Sequence, residues 1–290
     1  MIKITTLITT YNHEKYIEQA INSVLAQKGD FEHEIIILDD CSKDCNFEII
    51  SKFASQYSNI KAISNKKNLG ISENMKQGFL MAQGKYIAIL EGDDFWTDKY
   101  KLEKQMRFLE ENADCSMVFS KVQFLSNKSD NLNYDNVSVS RNQDRYKEKM
   151  QPQDWLSVQS YIGCVYNFSC CMFRAEHMKN LPESLYEGHF TDVGFVYYLA
   201  KLGNIGFINT PLSLYRIHNG GFYAGANLKN KLKYRILCAR QALSVCDKQY
   251  EEILKKDLKT CKKELLAENC FLIKIWFKLV KTINFYSITR

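Results

Sequence analysis

The chain has 290 residues, 46% hydrophobic and 25% charged, with 3 Pro and a formal net charge of +6. That length supports one large or two modest globular domains, and the apolar fraction excludes a disordered chain. No apolar run reaches the ~18 residues of a membrane span, and residues 1–228 carry −3 against +9 for residues 229–290, which argues against a nucleic-acid-binding body.

Residues 3–9 are rich in β-formers and predict a first strand. The opening MIKITTLITT (1–10) is too short and too Thr-rich for a secretory signal, so a cytoplasmic chain is expected. Ile17, Ala20, Ile21, Val24 and Leu25 recur at helical spacing. EIIILD (34–39) has the continuous apolar character of a buried parallel strand. Phe47, Ile50, Phe53, Ala54 and Tyr57 form one face of a second helix. Strand signals return at 60–64 and 85–90 around a helix over 71–83, and a further helix fits 98–112 with Thr97 or Asp98 as its cap. Strands alternating with helices of this length imply parallel βαβ units. Beyond residue 125 the pattern loosens. Residues 126–150 read as a long polar loop, 161–173 and 204–215 as further strands, and the chain from about 228 as helical to its end.

The 10 cysteines include no CxxC, and no His stands near two of them at zinc-finger spacing. They read as reduced thiols packed as small hydrophobes.

Parallel sheets bind ligands at the carboxyl ends of their strands. The strand exits here are Thr9-Thr10-Tyr11-Asn12, Asp39-Asp40-Cys41-Ser42 and Glu91-Gly92-Asp93-Asp94. Clustered carboxylates at a strand exit repel one another unless a cation or solvent relieves them. Mg²⁺ and Mn²⁺ take oxygen ligands and bridge carboxylates to a substrate's phosphates. An acidic turn with a helix cap is the competing reading of EGDD, and the second acidic pair at Asp39-Asp40 favours the metal. No GxGxxG follows the first strand and no P-loop occurs anywhere, which excludes the dinucleotide and P-loop classes.

The runs ITTLITTYNHEKYIEQAINSVLAQ (4–27), EIIILDDCSKD (34–44), NKKNLGISEN (65–74), GKYIAILEGDDFW (84–96) and YRIHNGG (215–221) together resemble glycosyltransferase family 2 over roughly residues 2–221. The resemblance implies an α/β GT-A fold: a Rossmann-like, mostly parallel sheet flanked by helices, here with a helical C-terminal extension. It also implies a nucleotide-sugar donor, UDP first, a divalent Mn²⁺ or Mg²⁺, and inversion at the anomeric carbon. Thr9 and Tyr11 fall where the family's first strand contacts the nucleotide, and Asp40 matches the carboxylate that hydrogen-bonds the base. Asn68 and Gly70 match the loop closing over the nucleotide, with Lys67 in reach of the diphosphate. Asp93 matches the metal-binding acid of the DxD motif, Glu91 replaces its first acid with a longer arm, and His218 resembles the family's late His near the metal or diphosphate. Asp94 and Trp96 are expected on the sugar and acceptor side. Asp192, in HFTDVGFVYYLAKLG (189–203), fits the general base, with Thr191 in place of the usual first acid of a pair. Asn167 and Ser169 are candidate acceptor contacts; a half-buried strand with Phe168, Cys170 and Met172 on one face is the alternative.

The expected organisation is a catalytic domain over 1–225, with a nucleotide-binding half at 1–112 and an acceptor-binding half at 113–225, followed by a helical basic tail at 226–290. The expected activity is addition of one sugar to a glycan or lipid-linked glycan acceptor in cell-surface polysaccharide synthesis, since the family's processive QxxRW motif and membrane spans are missing. A sugar-phosphate nucleotidyltransferase would need a Gly-rich loop after the first strand, which TTYNHEK does not supply. A silent nucleotide-sugar or glycan-binding module is disfavoured by the intact Asp93 and Asp192. In the tail, Lys274, Lys278 and Lys281 stripe an otherwise apolar segment (268–290). Such a segment suits a membrane interface at the inner face of the cell membrane, or packing on the catalytic domain or a homodimer partner.

Overall fold

Alternation along three central strands decides the architecture. In β1 (Ile4–Thr10), β2 (His33–Asp39) and β4 (Tyr86–Glu91), Leu7, Ile36, Leu38, Ile87 and Ile89 point to one side and Ile4, Ile8, Ile35, Ile37, Ala88 and Leu90 to the other. Both faces are therefore apolar, and both must be covered. The computed structural model describes residues 2–126, 137–139, 148–150, 167–218, 220–221 and 226–269. One face is covered by α1 (Ile17–Leu25), α2 (Asn46–Gln56) and α4 (Lys101–Glu111), through Ile17, Ala20, Ile21, Val24, Ile50, Leu102, Met106 and Leu109. The other is covered by α3 (Gly70–Met81) and α5 (Asp192–Leu202), where Phe79, Phe190 and Phe195 cluster within 6.0 Å of one another between ring centroids.

The sheet runs β3-β2-β1-β4-β9-β6-β10-β5, with β3 at Ile60–Ser64, β5 at Phe95–Trp96, β6 at Cys115–Ser126, β9 at Cys171–Arg174 and β10 at Asn204–Ile217. Pairings among β3, β2, β1 and β4, and between β6 and β10, are parallel; β9 runs antiparallel between β4 and β6. The chain goes from β1 outward to β2 and β3, then returns to place β4 on the other side of β1. The carboxyl ends of β1 and β4 therefore flank the crevice where such sheets take ligands.

One strand, β6, lies outside the expected elements, and two expected stretches change. Strand β6 carries no clear period in the sequence, because Ser116 and Ser120 are buried with its apolar residues; the Ser116 hydroxyl donates to Asn204 O at 3.4 Å. The stretch expected as a loop over 126–150 holds two short strands, β7 (Val137–Val139) on β6 and β8 (Lys149–Met150) on β10. The expected strand at 161–173 is, within the described residues, a 3-10 turn (Phe168–Cys170) leading into β9, since the thiols of Cys170 and Cys171 both turn back to donate to Asn167 O. Helix α4 also begins later than 98, although Asp98 still ends the approach by accepting the Tyr100 N–H at 2.7 Å.

The chain beyond residue 226 folds back. Val245, at the end of α6 (Leu228–Val245), and Tyr250, in α7 (Lys248–Asn269), join the core on the α3 and α5 side. Among the described residues no helix is long and apolar enough to cross a membrane. The described cysteines are free thiols, with Cys115, Cys170, Cys171, Cys238 and Cys261 buried. The apolar segment that reads as a membrane or packing face lies, from residue 270 onward, outside the described residues.

Lys101 begins α4 fully buried, its ammonium 4.2 Å from the Trp96 ring centroid and donating to Gln105 Oε1 at 2.7 Å. Burial pulls its pKa from 10.5 down to about 7. Over that window the unfolded chain holds a proton that the folded chain has released, so this group makes stability rise with pH. Lys101→Met is expected to raise the melting temperature near neutral pH and to flatten the rise above it. Thermal melts of both proteins between about pH 6 and 10 check this; an unchanged pH slope would contradict it.

Candidate active site

The three expected strand exits meet. Thr9 pairs with Glu91 and Thr10 with Asp39 across the central strands, and the chain continues through Asp40 N–H to Thr10 O and Gly92 N–H to Thr9 O. A Cβ on Gly92 would stand 2.6 Å from Thr10 Oγ1, so glycine is what lets the acidic segment lie against β1. The loops leaving β1 and β2 lock together: Asn12 N–H donates to Ser42 Oγ, Lys43 N–H to Asn12 Oδ1, Glu14 N–H to Asp44 Oδ2, and Cys45 N–H to Glu14 Oε2. Asn12 and Cys41 sit at φ of +56° and +63° in these turns, the strained backbone that often marks functional loops.

A cavity of about 700 Å³ opens above these strand ends. Of the expected residues, Thr9, Tyr11, Asp40, Asn68, Gly70, Glu91, Asp93, Asn167 and Asp192 line it. Asp40 is already busy: Oδ1 accepts from Asn65 Nδ2 and the Leu69 N–H, and Oδ2 accepts from the Gly70 N–H, all within 2.9 Å. It thereby holds the amino end of α3, where Gly70 has φ +80°. Besides His218, four residues expected at the site do not line the cavity. Lys67 is exposed on the surface. Asp94 and Ser169 are fully buried, because Asp94 is the acceptor that binds the site's supports: its Oδ2 receives Ser169 Oγ and Asn167 Nδ2, each at 2.6 Å, and its Oδ1 receives the Arg216 N–H at 2.9 Å. Trp96 lies in the core, donating its indole N–H to Ser169 O at 2.8 Å.

His218 stands beside the cavity, its Nε2 3.0 Å from Asp93 Oδ2, and His13 Nε2 is 3.8 Å from the same oxygen. Burial works against charge on Asp93, yet His13 and then His218 hold its carboxyl below the usual range. Glu91 and Asp94 go the other way: burial first, and the neighbouring carboxylates second, push both well up. Glu91 and Asp94 thus crowd two further carboxyl groups beside Asp93 in a buried floor. Asn167 Oδ1 and His13 Nδ1 are buried without a hydrogen-bond partner, leaving an acceptor and a ring nitrogen for an incoming group. Among the described residues no set of three or more His, Cys, Asp and Glu is arranged to hold a metal by itself. The residues present fit an ion that takes one or two protein ligands and completes its shell with phosphate oxygens and water.

Asp192 opens α5. Its Oδ1 accepts the Val193 N–H at 2.8 Å and lies 3.4 Å from Tyr234 Oη. Thr191, which replaces an acid, caps the helix by accepting the Gly194 N–H at 3.0 Å. The cavity wall on this side is aromatic, with Phe124, Phe168, Phe190, Tyr215 and Tyr234.

Sequence reasoning passed over Arg216, His13 and Tyr234. Arg216 is buried, donates to Asp93 O and Gln19 Oε1, and stacks 5.0 Å over Tyr16 and 4.7 Å over Phe95. Its place beside His218 in YRIHNGG was a usable signal. Tyr234 had none, since its partner lies 42 positions earlier.

Residues 5–180 match the family description Glycosyl transferase family 2. A Bacillus subtilis protein named as the teichuronic acid biosynthesis glycosyltransferase TuaG is 34% identical over 117 residues, 40% of this chain and 45% of TuaG. The chain spans 34–45% of the length of the curated relatives that it matches at 34–37% identity. Among solved structures, S. aureus TarS 1–349 in complex with UDP aligns with a TM-score of 0.62 at 20% identity, over 89% of this chain and 71% of that one. Mannosyltransferase PcManGT from Pyrobaculum calidifontis, in complex with GDP-Man and Mn²⁺, aligns at 0.59 and 13% identity, over 98% and 81%. At these identities the structures share the fold.

Proposed function

The chain belongs to glycosyltransferase family 2, and from that premise we propose that it is an inverting, metal-assisted glycosyltransferase. It moves one sugar from a nucleotide-sugar, UDP-linked in the first instance, to a hydroxyl of a glycan or lipid-linked glycan during cell-surface polysaccharide synthesis. The observation that carries this reading is the meeting of Asp40, Asp93 and Asp192, from three distant parts of the chain, on the wall of one cavity.

Thr9, Tyr11 and the loop at Asn68–Gly70 bind the nucleotide. The Tyr11 ring, 40% exposed, is available to stack on a base. Asp40 fixes that loop through the Leu69 and Gly70 N–H groups, so its larger contribution is to shape the pocket for the base. Asp93 and His218, with Glu91 close by, would hold a divalent Mn²⁺ or Mg²⁺, which when bound supplies Lewis-acid neutralisation of the diphosphate. Asp192 takes the proton from the acceptor hydroxyl as it attacks from the face opposite the diphosphate. Asn167, with its unpartnered Oδ1, and the aromatic wall orient the acceptor. The names of TuaG and of the UDP complex of TarS support the polysaccharide and UDP parts of this reading.

A thermal-shift panel of UDP-, dTDP- and GDP-sugars with Mn²⁺ tests it, since a bound donor stabilises the fold by mass action. A rise with a UDP-sugar that EDTA removes is expected; no rise with any donor would overturn the proposal. The work site is the cytoplasmic face of a membrane, an assignment supported by the basic, apolar sequence of residues 268–290. The full chain is expected to float with liposomes containing anionic lipid, and a Lys274→Glu, Lys278→Glu, Lys281→Glu chain to float much less. Equal flotation would count against the membrane contact.

A further inference from the structure

Helix α6 lies beyond the matched residues 5–180, yet its inner face is built against the turn that carries Asp192. Tyr234, Cys238 and Gln241 are four and three residues apart and so share one side of the helix. Gln241 is 2% exposed. Its Nε2 donates to Leu185 O, Glu187 O and His189 O at 2.9, 3.1 and 3.0 Å. Its Oε1 accepts from the Thr191 N–H at 3.2 Å and from Thr191 Oγ1 at 2.6 Å. One side chain thus gathers the backbone from 185 to 191 and sets where α5 begins. The fit is close, since a Cβ on Gly194 would stand 2.7 Å from Gln241 Cβ. Two turns earlier on the same face, Tyr234 Oη lies 3.4 Å from Asp192 Oδ1, and the Tyr234 ring meets His189 edge-on at 5.6 Å. The Val193 N–H also falls on Oδ1, so two donors orient the carboxylate from one side.

We infer that α6 is a working part of the active site: Tyr234 is a positioning residue that orients the Asp192 carboxylate, and Gln241 fixes the turn on which that carboxylate sits. The inference rests on Asp192 being the base. It means that the catalytic unit extends past the sheet, and that losing α6 would disable the chemistry even with every strand-end residue in place.

The test measures UDP release with Mn²⁺ and water as acceptor, using whichever of UDP-glucose, UDP-galactose and UDP-N-acetylglucosamine the unmodified full chain turns over fastest. Tyr234→Phe keeps the ring and removes only the hydroxyl. It is expected to lower kcat about tenfold, with KM for the donor and the affinity for UDP unchanged and the melting temperature within about 2 °C. A structural role would instead lower the melting temperature or move KM together with kcat. Gln241→Leu, which keeps the volume and removes all five hydrogen bonds, is expected to lose both turnover and stability. Asp192→Asn in the same assay separates the two readings. If Asp192→Asn is inactive and Tyr234→Phe matches the unmodified chain in kcat, the role given to α6 is overturned alone. If Asp192→Asn retains full turnover, the base assignment fails and this inference with it.

Discussion

Asp192→Asn abolishes transfer on this account, with turnover falling by roughly 10²–10⁴-fold, the range general-base catalysis supplies. The substitution keeps the size and the planar shape of the group. Its carbonyl oxygen still accepts the Val193 N–H that Asp192 accepts at 2.8 Å, and the Thr191 cap on Gly194 is untouched. What disappears is the capacity to accept a proton. UDP affinity measured by calorimetry in Mn²⁺ is expected to stay within about twofold, because the residues proposed to contact the nucleotide lie at the β1 exit and in the loop at Asn68–Gly70, away from the start of α5 in the chain. Single-turnover measurements of sugar transfer or donor hydrolysis check the loss. Full activity in the variant would remove Asp192 from the mechanism.

Asp93→Asn is the second large effect, and it falls on a different step. Asp93 is the floor acid whose carboxyl is held below the usual range, by His13 and His218 against the cost of burial, so it is the one best kept as a carboxylate ligand. Removing its charge is expected to reduce UDP release by about a thousandfold, in keeping with several kcal/mol of Lewis-acid stabilisation. It is also expected to erase the difference in UDP affinity between Mn²⁺ and EDTA. In EDTA the variant and the unmodified chain should bind UDP equally weakly. If Mn²⁺ tightened UDP binding as much in Asp93→Asn as in the unmodified chain, the metal would have to sit elsewhere.

Much of this site was legible in the sequence because strand ends are local features. TTYN, DDCS and EGDD each follow an apolar run, and a parallel sheet brings such exits to one edge whatever the details of packing. The sequence was less informative wherever a side chain's task is set by a distant partner. Asp94 looks the same as Asp93 in EGDD, yet it is buried and anchors Ser169, Asn167 and the Arg216 backbone, segments separated by 73 to 122 positions. Trp96 reads as a site aromatic and proves to be a core residue lying against Lys101. Thr191 reads as a weakened acidic pair; its structural role becomes clear only with Gln241, 50 positions later. Strand β6 escaped notice for a related reason, since buried serines hide its period.

The central claim is that this cavity cleaves a nucleotide-sugar with the help of a divalent ion and Asp192. The most direct measurement is free UDP released from UDP-sugars by the full chain in Mn²⁺, followed in parallel in EDTA and in Asp192→Asn. The account predicts slow release from at least one UDP-sugar, lost in EDTA and lost in the variant. Donor-induced stabilisation with no UDP release from any of them would contradict it and describe a silent binding module instead.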